Sequence, residues 1–442
     1  MMENIAILGS GMAGFGAAHR LHEQGMRPVI FDKQPYYGGH TASRTTADGF
    51  TFDQGPHVSF TSDKRIQSLF AASVHGEYES LPYSPHNYWK GYWIKHPAHC
   101  NLHGLPLQLV VEVIRDFVKV SSSAEPPEIR SYEDWLLASY GETFARTFPM
   151  EYTKKYHTTE ARNMTTDWLG PRMYRPTLEE VLSGALTRET PNVHYVTEFR
   201  YPSREGFVAF LKGFLGESEI RLNHQVTSVD PKTRELGFAN GQVARFDALV
   251  SSVPLTDLIP LVRGAPARVV EAAARLASTS CVLVNVGVDR RDLSPAHVLY
   301  FYDEDIVFTR LSFPHMMSPH NAPLGAGSIQ AEVYFSKKYK PLDRAAADCV
   351  PAVIADLRKC GVLKEGDRIL FTDFLVLPHA QVIFDLERAE ALSTVHQYLD
   401  EVGIAYCGRY GEWAYIWTDE AFKSGEVAAQ KALDRAVRTA KT

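Results

Sequence analysis

What this chain lacks narrows it first. Nowhere in its 442 residues does an apolar run reach the roughly 18–20 residues that cross a bilayer, so no transmembrane segment is expected. Cysteine is scarce: Cys100, Cys281, Cys349, Cys360 and Cys407 are scattered, odd in number and never spaced C-x-x-C. That argues against a disulfide framework and a zinc site and fits a reducing compartment. The formal net charge of −6 leaves no basic footprint for nucleic acid. No basic stretch precedes the first apolar run at residues 5–8, so no secretory leader is expected and the expected location is cytoplasmic. No internal repeat appears, and no low-complexity tract is long enough to read as disordered. The best loop signal is Ser121-Ser122-Ser123-Ala124-Glu125-Pro126-Pro127.

What is present describes a soluble globular protein. A mass of 49.5 kDa, 45% hydrophobic and 22% charged, predicts two or three domains with a core that needs no staple. Strand-like runs fall at 219–222, 248–253, 281–288 and 369–374, and residues 425–440 read as a helix. The amphipathic stretch 105–120 is broken by Glu112, Arg115, Asp116 and Lys119. It reads as a helix covering a substrate cavity rather than one lying on a membrane.

The first residues carry the strongest pattern. Ile5-Ala6-Ile7-Leu8 is followed by Gly9-Ser10-Gly11-Met12-Ala13-Gly14, an apolar-periodic run to Leu21, and Pro28-Val29-Ile30-Phe31 ending at Asp32. That is strand, glycine turn, helix, strand and acid, the arrangement that holds a dinucleotide. Gly9 permits the turn, Gly11 admits a pyrophosphate to the backbone, and Gly14 lets helix and strand pack. The diphosphate sits on the helix N-terminus at Met12 and Ala13, where free N–H groups and the dipole favour negative charge. Asp32, eighteen residues past Gly14, is placed for ribose hydroxyls, with Lys33 beside it.

Beyond Asp32 come Gly38-Gly39-His40 and then Asp48-Gly49-Phe50-Thr51-Phe52-Asp53-Gln54-Gly55-Pro56-His57. This resembles the second signature of the FAD-dependent amine oxidase, protoporphyrinogen oxidase and UDP-galactopyranose mutase superfamily, and residues 55–62 look most like its mutase form. The resemblance implies FAD, with the Gly-Gly pair on its diphosphate and ribityl side and the hairpin running back to the flavin ring, where His57 is a candidate hydrogen-bond partner. Val226, in Gln225-Val226-Thr227-Ser228-Val229-Asp230, resembles the valine that meets adenine through its main chain. Phe246–Pro254, written Phe246-Asp247-Ala248-Leu249-Val250-Ser251-Ser252-Val253-Pro254, resembles the strand returning to the flavin domain. Gly408-Arg409, followed by Trp413-Ala414-Tyr415, resembles the C-terminal FAD motif. Some relatives attach flavin through cysteine, but in a different sequence, so Cys407 reads as a packed thiol. The expected fold is α/β, a Rossmann-like FAD domain of the two-dinucleotide-binding-domain type (1–75, 196–265, 391–442) with an inserted α+β substrate domain (76–195, 266–390).

The central segments resemble the mutase and protoporphyrinogen oxidase branch. Tyr152-Thr153-Lys154-Lys155, then Trp168 and Arg172, match a tyrosine–lysine motif followed by an arginine that grips a sugar diphosphate. Phe308-Thr309-Arg310-Leu311 matches a strand whose arginine lies by flavin and phosphate. The resemblance implies a substrate set of Tyr152, Lys155, Arg172, Arg175, Arg310 and Tyr334, with His57 and Arg310 nearest the chemistry. A guanidinium fork meets phosphate oxygens in pairs and keeps its charge. Two departures matter. The mutase tryptophan that stacks uracil falls at His157, and the lysine that amine oxidases place near flavin N5 is missing from 278–284. The reading is therefore an FAD-dependent oxidoreductase acting at flavin N5 on a small molecule, a sugar or nucleotide-sugar derivative among them. The alternatives are a mutase using reduced N5 as nucleophile and a carrier of this fold that does no chemistry. No nucleic acid or metal is expected, and oligomeric state is open.

Overall fold

The computed structural model describes residues 4–123 and 127–439. The loop read at 121–127 lies partly outside these, as does the end of the helix read at 425–440. Five parallel strands form the first sheet, in the order Glu219–Arg221, Val29–Phe31, Ile5–Leu8, Ala248–Ser251, Ile404–Tyr406. Both faces are covered, which explains why the inner strands Ile5–Leu8 and Val29–Phe31 are apolar throughout. Ile5, Ile7, Ile30 and Val250 face the helices Met12–Glu23 and Thr418–Thr439. Ala6, Leu8, Phe31 and Leu249 face a three-stranded antiparallel sheet, Val226–Asp230, Glu235–Phe238 and Val243–Arg245. The two helices meet backbone to backbone, since a Cβ on Gly16 would strike the Phe422 carbonyl and one on Gly425 the Ala13 carbonyl. That contact brings the chain's last helix back to its first.

The second sheet has seven strands, in the order Ile369–Val382, Ser278–Val288, Gly327–Ser336, Arg310–Ser312, Val298–Phe301, His86–Trp89, Tyr92–Lys95. All neighbours are antiparallel except Val298–Phe301 with His86–Trp89. One face packs on the helix Cys349–Lys359 through Val282, Val284, Ile329 and Val353. The other carries Cys281, Leu283, Tyr334 and Leu377 against Tyr156 of the helix Pro149–Tyr156.

Two local readings are revised. The run at 369–374 continues to Val382, and Pro378 is tolerated because this is an edge strand whose pairing slips near Cys281. The amphipathic helix is Leu107–Ser121, starting two residues later than the expected stretch. Val113 and Phe117 pack it on neighbouring helices, Tyr132–Tyr140, Glu142–Thr147 and Leu178–Leu186, while Leu107, Val111 and Val118 stay exposed. None of the described helices is long and apolar enough to cross a membrane.

Candidate functional site

The glycine turn shows why each residue type stands where it does. Gly9 has φ +100°, and a Cβ on Gly14 would collide with the Gly9 carbonyl, so both are demanded by the fold itself. Gly11 is different. Its backbone is extended, and a Cβ there would meet only Gly38 O and Gly39 Cα, at 3.8 Å. The protein's own packing does not require glycine at that place. Gly11 is the N-cap of the helix Met12–Glu23, whose first internal bond is Phe15 N–H to Gly11 O at 3.0 Å. The preceding N–H groups, Met12 to Gly14, have no intrahelical partner. The space beside Gly11 and this free helix end fit a diphosphate, and so fit a flavin dinucleotide.

Around this turn the other cradle residues are firmly held. Gly38 N–H donates to Ser10 O at 2.8 Å. Asp32, at the end of its strand, accepts from Ser10 N–H (2.8 Å) and Oγ (2.7 Å) through one oxygen, and from Gln34 N–H (2.9 Å) through the other. Lys33 is exposed, and Val226 is half-buried where the pairing of its sheet slips. His40 donates from Nε2 to the His379 carbonyl at 2.6 Å, and burial pulls its pKa down to about 4. His57 donates from Nδ1 to Gly55 O at 2.8 Å, and burial, aided by the positive charge of Arg409, lowers it to about 3. Both rings are therefore neutral at pH 7, and each keeps one ring nitrogen as an acceptor. Asp53 braces the hairpin below them, bonded to Ser43 Oγ (2.6 Å), Tyr201 Oη (2.8 Å) and Phe207 N–H (3.0 Å); burial raises it to about 6.

The C-terminal piece arrives beside them. Gly408 N–H donates to Ser424 Oγ at 2.9 Å. Arg409 donates to Ile416 O (2.7 Å from Nη2) and to Gln381 Oε1 (3.0 Å from Nη1). Trp413 has φ +50° and is fully buried with its indole Nε1 unpartnered, while its carbonyl accepts from Arg388 Nε at 2.9 Å. Ala414 N–H returns to Arg409 O at 2.9 Å, which turns Tyr415 toward the second sheet.

Opposite lies a cluster of tyrosines and arginines. Tyr152 and Tyr156, one helical turn apart, stack at 5.3 Å. Tyr156 Oη is 3.3 Å from Tyr415 Oη, and Tyr334 packs on Tyr156 at 4.9 Å. Tyr300 joins Tyr152 edge-on and bonds Tyr83 through their hydroxyls at 3.1 Å. Burial holds the Tyr152, Tyr156, Tyr300 and Tyr334 hydroxyls above their ordinary pKa, so they remain protonated donors. Arg172 lies over the Tyr415 ring at 4.5 Å and the Trp417 ring at 5.3 Å, donates to Tyr415 O at 2.7 Å, and leaves a buried Nε unpartnered. Among the described residues, neither Arg172 nor Arg409 has a carboxylate within ion-pair distance.

Arg310 is in a different state. Its fork meets Glu332 in two bonds, Nε to Oε1 and Nη2 to Oε2, each 2.8 Å, and Glu332 is only 1% exposed. Tyr334 Oη donates to the same carboxylate. The phosphate-gripping fork expected of Arg310 is thus already filled. Two other expected substrate residues stand apart. Lys155 is buried and donates to the carbonyls of Asp303 (2.7 Å) and Ile306 (2.9 Å), pinning that loop, and burial drags its pKa down to about 7. Arg175 donates to Ser139 Oγ at 2.8 Å and lies 5.3 Å over Trp135, with the outer helices. His157 is 3% exposed, packed on Tyr156 and Trp168 with Nδ1 unpartnered. The residues missed from sequence, Glu332, Tyr156, Tyr300 and Gln381, had a signal in one case. Gln330, Glu332 and Tyr334 alternate with the apolar Ile329, Ala331 and Val333 along their strand, and Glu332 stands directly opposite Arg310 in register.

Residues 12–433 match the family described as flavin containing amine oxidoreductase. Over 59 residues the chain is 42% identical to a 4,4'-diapophytoene desaturase (4,4'-diaponeurosporene-forming) of Staphylococcus haemolyticus, a match spanning 13% of this chain and 12% of the relative. The structure is similar to a crystal structure of reduced UDP-galactopyranose mutase (TM-score 0.91, 23% identity, 98% of this chain and 96% of that one). It is also similar to a putative protoporphyrinogen oxidase from Exiguobacterium sp. 255-15 (TM-score 0.74, 16% identity, 99% of each chain).

Proposed function

The chain belongs to the flavin containing amine oxidoreductase family, and we propose that it binds FAD and oxidises a small, hydroxylated, anionic molecule of the sugar or sugar-phosphate kind. The observation that carries this is the pairing of an open backbone cradle with a tyrosine-rich chamber whose two guanidiniums, Arg172 and Arg409, bond carbonyl and amide oxygens and have no acidic partner among the described residues. Glycines 9, 11, 14, 38, 39, 55 and 408, with Met12, Ala13, Pro56, Asp32, Lys33, His40, Val226, Arg409, Trp413, Ala414 and Tyr415, are proposed to hold FAD. In this reading residues 1–75, 196–265 and 391–442 form the cofactor-carrying part. When bound, the flavin supplies the acceptor for a hydride.

The protein's part is position and environment. Tyrosine hydroxyls kept protonated by burial donate to substrate oxygens, and Arg172, bonded only to carbonyls and with Nε unpartnered, keeps its charge uncompensated for an anionic group. His57, neutral with Nδ1 committed to Gly55, presents an acceptor and does not act as an acid at pH 7. The Arg310–Glu332 pair is net neutral, so its proposed task is to fix Tyr334 and Tyr156 rather than to hold phosphate. Excluding water and orienting the reacting carbon is what such a chamber contributes to hydride transfer.

A second reading, a nucleotide-sugar mutase working on reduced flavin, is favoured by the likeness to the reduced UDP-galactopyranose mutase structure and by the unpaired Arg172. Against it stands His157, buried where that branch stacks uracil. One experiment separates the readings. The purified protein is expected to be yellow and to bleach anaerobically with its substrate among phosphorylated sugars and sugar nucleotides. Turnover seen only after dithionite reduction, with no net redox change, would establish the mutase instead. A colourless protein that takes up no added FAD would leave only the carrier.

A further inference from the structure

One segment beside the tyrosine–arginine cluster has no regular secondary structure, yet it is pinned by side chains. Residues 187–197 form no helix or strand. Lys95 Nζ donates to Thr190 Oγ1 at 3.3 Å, Asn192 Nδ2 donates to Tyr83 O at 3.1 Å, and Tyr83 N–H donates to Thr197 O at 2.9 Å. Between these ties, Tyr195 reaches across to Phe60 at 6.2 Å and Trp417 at 6.3 Å. Trp417 is one of the two rings beneath Arg172, and Phe60 follows the cradle hairpin. The segment therefore bridges both sides of the proposed site.

Its central contact is a pair of histidines. The His194 ring lies 5.3 Å from His96, 4.9 Å from Tyr83 and 4.5 Å from Tyr195. His194 Nδ1 lies 3.1 Å from both the Val196 N–H and the Val196 carbonyl oxygen, so it either accepts from the one or donates to the other. His96 Nδ1 donates to Asn87 Oδ1 at 3.0 Å, and its ring lies 5.2 Å from Tyr300. The two rings thus face each other with Nδ1 of each tied to its own neighbours and no carboxylate at hand among the described residues.

We propose that residues 190–196 are a strap across the mouth of the tyrosine–arginine chamber, held closed by the contact of neutral His96 with neutral His194 and released when either ring takes up a proton. The groups facing the pair give no compensation. His86 and His99 approach from the neighbouring strand and turn, Tyr83, Tyr195 and Tyr300 from the strap and sheet, and the ammonium of Lys95 is turned to Thr190. Among the described residues, no carboxylate pairs with either histidine. Burial lowers both histidines from their ordinary range, His96 strongly, and each lies near the other's positive charge when protonated. The closed strap therefore binds fewer protons than the open one. Stability of the closed form is present above about pH 6.5 and falls as pH drops through that value, by up to about tenfold per pH unit for each histidine.

The strap matters to the proposed function only as the way substrate would pass, and its test needs neither flavin chemistry nor substrate. Hydrogen–deuterium exchange of the protein as purified, corrected for intrinsic rates, should show residues 190–196 losing about tenfold protection or more between pH 7.5 and 5.5. Peptides of the strand Ser278–Val288 should hold theirs. His194→Gln should flatten the pH dependence, and His96→Gln is the second variant should the first not fold. Tyr195→Ala should leave the strap open at both pH values. A native strap whose protection ignores pH, or a His194→Gln and His96→Gln pair with the native slope, overturns the proposal.

Discussion

The cradle and the chamber are built by opposite means. The cradle is backbone: a turn, a helix end and a second glycine pair within the first forty residues, touching Gly11 and Gly38 to each other. Side chains there either stay small or brace the loops. The chamber is side chain: Tyr83, Tyr152, Tyr156, Arg172, Tyr300, Arg310, Glu332, Tyr334 and Tyr415 come from widely separated segments. In a backbone site little depends on any one side chain's neighbours. In a side-chain site each group's chemistry is decided by its partner, as Arg310 and Arg172 illustrate. The same residue type is ion-paired in one case and bonded only to carbonyls in the other.

The sharpest test of that contrast sits inside the cradle. Gly14→Val forces atoms into the Gly9 carbonyl and should cost ~3 kcal/mol or more of stability, because neither backbone can yield. Gly11→Ala should leave the thermal midpoint of the flavin-free protein within a few degrees, since a Cβ there meets only ordinary contacts, yet weaken flavin retention by about 100-fold, or ~2.7 kcal/mol. Equilibrium unfolding and flavin titration of the two variants separate them. Equal loss of stability would mean that Gly11, like Gly14, serves only packing.

In the chamber, removing the partner should do more harm than removing the free charge. Glu332→Ala strands a buried guanidinium, and chemical denaturation should register a loss of ~3–5 kcal/mol. Arg172→Ala removes a group whose remaining partners are carbonyls and rings, so stability should change by about 1 kcal/mol or less. Its effect should instead appear as a rise in KM of about ten- to a hundredfold for an anionic substrate, in line with the loss of a charge-assisted bond. If Arg310→Lys, which keeps the charge but loses the fork, raised KM as much as Arg172→Ala did, the division between filled and free arginines would be wrong.

How much was legible follows from the same contrast. The order of strand, turn, helix and acid is local, and every physical requirement of it lies within a short stretch from Ile5 to Asp32, so residue types alone carry it. The seven-stranded sheet and the C-terminal return were approached through resemblance, and the close contacts that make them, Gly16 on Phe422 and Gly425 on Ala13, join opposite ends of the chain and leave no local trace. For the chamber, sequence offered residue types but not their pairing. Arg310 could be named from its strand, whereas its neutralisation required the register that sets it opposite Glu332. The bonds of Lys155 were hidden for a related reason. This residue follows the tyrosine motif, but on the helix Pro149–Tyr156 it lies three residues from Tyr152, and its amine turns to the loop at 303–306 instead.

Lys155 also supplies the smallest expected effect on turnover and a clear one on pH. With its ammonium spent on two carbonyls, Lys155→Met should leave KM within about threefold, far below the change at Arg172. Its folded-state pKa is about 7 against an ordinary value near 10.4, because burial penalises the charge. Between those values the unfolded chain binds the proton that the folded chain has released, so this group makes stability rise as pH increases from about 7 to 10. Below pH 7 both states hold the proton and the desolvation cost is fully present. The difference in unfolding free energy between the native protein and Lys155→Met should therefore shift in the native protein's favour across that window and be flat below it. A flat difference throughout would mean the ammonium is solvated, returning Lys155 to the candidates for substrate contact and weakening the line drawn here between bracing and binding side chains.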